Sequence, residues 1–72
     1  MDKRDLSRSI RAFRARALAL TLADGTAAAD RKRHADLITK THFVGKLREA
    51  EARRDIRAAT LRRALTEEGI LT

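Results

Sequence analysis

Seventy-two residues with 17 Lys+Arg against 10 Asp+Glu give a formal charge of +7, with no Cys, Pro, Trp or Tyr. That length admits one small domain, 1–72, and the missing cysteines exclude a disulfide-stapled scaffold and any thiolate metal site. Of the hydrophobic residues 14 are Ala, and only 17 (nine Leu, four Ile, two Phe, one Val and one Met) can fill real volume, so the core is thin. A domain of this size buries only about 60% of its unfolded surface, which turns attention to regular helix packing and self-association.

Ala, Leu, Arg, Glu and Lys dominate a chain without Pro, and the expected class is all-α. The first helix is expected over about 5–23, with Asp5 as its N-cap. Leu6, Ile10, Phe13, Ala17 and Leu20 share one face at helical spacing, while Arg4, Arg8, Arg11 and Arg14 lie opposite, with Arg16 beside them. Leu18 and Leu22 leave the apolar stripe and suggest a contact on a second face. The segment is also basic and then apolar at its end, as a targeting sequence would be. Asp2 and Asp5 interrupt the basic part, and removing 23 residues would leave too little to fold, so it is read as structure. No run reaches the roughly 18 to 20 apolar residues that span a bilayer, and a cytoplasmic location is expected.

Asp24-Gly25-Thr26 is a strong turn signal. Beyond it Ala27, Arg31, His34 and Ile38 share one side of a helix, whereas Phe43, Leu47, Ala50, Ala58, Leu61 and Leu65 share another, about half a turn away. That change of phase, together with the β-branched pair in Thr39-Lys40-Thr41-His42, predicts a break there. The layout is then a three-helix domain, about 5–23, 27–38 and 42–67. The competing layout is a hairpin whose second helix runs unbroken to 67, and either is expected to dimerise. A short strand over 37–44, as in a ribbon-helix-helix module, is the lesser alternative. In the last stripe the spacing slips at Arg54, as in a heptad seam with a stutter. Arg54 is read either as a wet or kinked point or as an interface residue paired with Glu51 or Asp55 of a second chain. Gly69 is expected to end the last helix.

Catalytic chemistry is sparse. The only serines are Ser7 and Ser9, and the two histidines lack a matching ligand set. Asp30 and His34, one turn apart, read as an incidental surface pair, and His42 as a polar loop residue. With no phosphate loop or nucleophile elbow, and too thin a core to enclose a substrate-sized cavity, the chain is read as a non-enzyme with no cofactor and no metal.

Charge is the remaining signal. Residues 1–23 carry a net +4, 24–44 carry +1 and 45–72 carry +2. Arg outnumbers Lys thirteen to four, and guanidinium forks suit phosphate and carboxylate partners. The leading expectation is therefore a basic regulatory protein that contacts DNA or RNA, by duplex backbone, through Arg4, Arg8, Arg11, Arg14 and Arg16. The alternative is a helical adaptor, inhibitor or small subunit docking on an acidic protein, and an anionic membrane surface ranks below both. Candidate interface residues are Leu18, Leu22, Phe43, Leu47, Arg54, Leu61 and Leu65. A helix-turn-helix containing 61–65 lacks a turn residue before it, and two Phe are too few for stacking on single strands.

Overall fold

The computed structural model describes residues 2–21 and 27–71. Three helices run in chain order: α1 Lys3–Thr21, α2 Ala28–Ala52 and α3 Arg57–Glu67. No strand occurs among the described residues, so the ribbon reading of 37–44 falls. The Asp24-Gly25-Thr26 turn and Leu22 lie outside them.

α1 begins one turn earlier than its stripe suggests. Asp2, and not Asp5, caps it: the Asp2 carboxylate accepts from the Asp5 backbone N–H at 3.0 Å, and the Asp2 carbonyl from Leu6 N–H at 3.1 Å. Asp5 instead adds negative charge to the first turn.

The break expected at 39–42 is absent. α2 passes through it, and its buried residues Ala35, Thr39, Phe43 and Leu47 form a single row of four-residue steps. Each such step turns the row by about 40° around the helix, so the ridge crosses the axis obliquely. The other expected stripe is not a buried face: Ala27, His34 and Ile38 are exposed and Arg31 only partly covered, and the change of phase it implied marks no break. Thr39 is fully buried, and its hydroxyl donates to the Ala35 carbonyl at 2.7 Å. With that hydroxyl satisfied inside the helix, the β-branched residue is accommodated at a buried position.

The helix ends instead where the seam slips. Arg54 adopts φ 55°, the left-handed conformation usual for Gly. Asp55 N–H reaches back to the Ala50 carbonyl at 2.9 Å and Arg54 N–H to that of Glu51 at 3.1 Å, the paired bonds of a Schellman stop. The Asp55 carboxylate then accepts from Arg57 N–H at 2.9 Å and opens α3. Thus a turn does precede 61–65, made by an arginine where Gly would be the recognisable signal. α3 closes with the same stop: Gly69 has φ 76°, and Ile70 N–H bonds to the Leu65 carbonyl at 2.9 Å.

α3 covers one end of the α1/α2 hairpin. There Ile10, Phe43, Leu47, Ala64, Leu65 and Ile70 form the core, with Leu6, Phe13, Ala58, Leu61 and Leu71 packed against it. Phe13, expected in the stripe, stacks face to face on His42 at 4.3 Å and meets Phe43 edge-on at 5.4 Å. His42 is therefore a helix residue against a ring, not a loop residue. Toward the other end the buried residues of α1 and α2 are small: Ala17 and Thr21 on α1, Ala35 and Thr39 on α2. Leu20, expected to be buried, is 77% exposed because no third layer covers that side.

Candidate functional site

The five α1 arginines do not act as one surface. Arg4, Arg8 and Arg11, together with Lys3 and Ser7, line one shallow polar depression of about 320 Å³ at the N-terminal half of α1. The one acid in its wall is Glu67, which Lys3 Nζ meets at 2.8 Å. Arg4 and Arg8 make no ion pair with a described residue. Arg16 is exposed but lies off this depression.

Arg11 and Arg14 serve the fold as well. Arg11 Nε and Nη2 donate to the two carboxylate oxygens of Glu68 at 2.9 and 3.1 Å, a bidentate pair. That hydrogen bond holds the Glu68 carboxyl below its ordinary range against the opposing effect of desolvation, and it raises Arg11 in turn. Arg14 is half-buried, and its Nη2 donates to the Glu68 backbone carbonyl at 2.8 Å. Its buried Nε makes no hydrogen bond, and Asp36 Oδ1 stands 3.5 Å from it. α3 carries no basic residue in its last turn, so α1 supplies the cations that its C-terminal carbonyls favour. The helical positions explain why Arg14 was expected to point outward and does not. Ser7, Ile10, Arg14, Ala17 and Thr21 form a regular three-four seam, and Arg14 is its single charged member.

The candidate interface residues also separate. Phe43, Leu47 and Leu65 are buried in the core of this one chain and offer no outer surface, and Leu61 is packed partly against them. Arg54 is exposed at the α2–α3 corner, while Glu51, one of the acids considered for it, binds Arg62 Nη2 at 3.0 Å within the same chain. Among the described ones Leu18 alone lines a groove, an open one of about 1040 Å³ between α1 and the first half of α2, starting where α3 ends at Glu68-Gly69-Ile70. The groove lies outside the core and is open to solvent, so it is not the enclosed cavity that the thin core was expected to exclude. Leu37, 60% exposed in the same groove, carried no signal in the sequence because it belongs to neither apolar stripe.

Among the described residues no three His, Cys, Asp or Glu stand close enough to hold a metal ion, and no helix is long and apolar enough to cross a membrane. No protein-family model matches the chain, no curated protein matches it significantly, and no solved structure does.

Proposed function

We propose that this chain is a small helical nucleic-acid-binding protein that follows the phosphate backbone of a duplex with the N-terminal half of α1. The supporting observation is the depression in which Arg4, Arg8 and Arg11 converge with Lys3 and Ser7 on a chain of net charge +7. Guanidinium groups on one helical face suit successive phosphates. Arg14 drops out of the expected set because its guanidinium is committed to the Glu68 carbonyl. Arg11, held bidentately by the Glu68 carboxylate, adds charge to the depression, while Arg4 and Arg8 supply guanidinium groups unpaired with any described residue.

Binding of a labelled duplex measured over a salt series tests this. Each phosphate contact contributes about 0.9 to the slope of log affinity on log salt. The double variant Arg4→Ala, Arg8→Ala is expected to bind more weakly and to lower that slope by roughly two contacts' worth. An unchanged slope would remove α1 from the interface. A second reading, a module that docks on a protein, rests on the separate groove.

A further inference from the structure

We infer that the groove at the open half of the α1/α2 hairpin is a docking site for an acidic amphipathic helix of another protein. Its apolar lining is Leu18 from α1, Ala35 and Leu37 from α2, and Ile70 from the tail behind α3, with Leu18 and Leu37 the exposed members. Its rim is basic, with Arg31, Lys32, Arg33 and Lys40 along α2. The two acids that line it are partly occupied, since Glu68 is bound by Arg11 and Asp36 lies 3.5 Å from Arg14.

The shape calls for a helix. α3 fills the angle between α1 and α2 at one end of the hairpin, and the groove begins where α3 stops, so the open half lacks the third helix that the closed half has. From Ala28 to Lys40 the wall is about 18 Å long at 1.5 Å per residue, the length of roughly three helical turns. An occupant presenting apolar residues at i, i+3, i+4 and i+7 would meet Leu18, Leu37 and Ile70. Acids flanking that stripe would meet the lysines and arginines of the rim, which are otherwise set against one another.

Charge chooses the partner. A second copy of this chain brings another +7 and places basic rim against basic chain. A duplex would satisfy the rim but not an apolar lining that includes a 60% exposed leucine. Both an acidic flank and an apolar stripe are needed, and an acidic amphipathic helix has them.

The test uses the full chain and a fluorescein-labelled peptide of three to four turns, with Leu at i, i+3, i+4 and i+7 and Glu and Ala elsewhere. Anisotropy is read at about 0.15 M salt, where the Debye length is about 8 Å. Saturable binding is expected, weakened about tenfold or more by Leu37→Glu and by a peptide of identical composition whose leucines share no face. Lys32→Glu with Lys40→Glu should weaken it as well, whereas Arg4→Ala with Arg8→Ala should leave it unchanged. Leu37 is largely exposed, so circular dichroism of Leu37→Glu should match the wild type. No binding, equal binding of the scrambled peptide, or indifference to Leu37→Glu overturns the inference. So does displacement of the peptide by duplex DNA, which would give the groove to nucleic acid. A wild-type dimer in sedimentation that Leu37→Glu dissolves would give it to a second copy.

Discussion

At the closed end of the hairpin, Ile10, Phe43, Leu47 and Leu65 meet in a three-helix core; toward the open end, Ala17, Thr21, Ala35 and Thr39 line a contact between two helices. The first arrangement gains stability from the area of large side chains removed from water. The second has little side-chain volume to bury, since its buried residues are small. Large apolar residues on α1 and α2 near the open end, Leu18 and Leu37, consequently stay at the surface. A thin supply of bulky residues is thus concentrated at one end, and the other keeps an apolar face for use.

Truncation in the core should separate the two ends most sharply. Leu65 is fully buried, and Leu65→Ala is expected to cost about 2–5 kcal/mol in urea unfolding, whereas Leu37→Ala should change stability by about 0.5 kcal/mol or less. Equal costs would break the contrast. The next effect is enlargement at the small-residue end. Thr39→Leu should destabilise by about 1–3 kcal/mol through overpacking, and a stabilising result would show that α1 and α2 have room to spare there.

The smallest effect lies in the joint between the ends. Glu68 has its folded pKa lowered from 4.5 by Arg11, so its contribution is present above that ordinary value and is lost as pH falls through the lowered one. On acidification the wild type should lose stability over that interval, and Glu68→Gln should show a flatter acid limb at a slightly lower plateau. Arg11 is exposed while the Glu68 side chain is mostly covered, so added salt should shrink the difference only in part. A thermal-unfolding series against pH, run with both proteins, reads this directly.

The large-residue core was largely legible, and the small-residue contact was not. Leu6, Ile10 and Phe13 stand at helical spacing in a chain rich in helix formers, and all three pack at the closed end. Ala35 and Thr39 give no apolar signal, whereas Ala27, Arg31, His34 and Ile38 mimic a stripe although Ala27, His34 and Ile38 are exposed, and the break expected from that stripe does not exist. The true break left its mark as a slip in spacing at Arg54. Its form was hidden because the left-handed residue there is not the Gly that normally betrays it. For the site, counting charges located the basic half of α1. It did not reveal that α3 ends beside that helix without cations of its own, which is what draws in Arg11 and Arg14.

The Phe13–His42 pair has a use in spectroscopy. With ring centroids 4.3 Å apart and planes inclined by 14°, the imidazole lies over the aromatic ring, and ring current should shift its carbon-bound protons upfield. The chain has two histidines, and His34 is exposed on α2, so the shifted and unshifted imidazole signals can be told apart. The difference between them reports, at one residue and without a label, whether α1 is seated on α2.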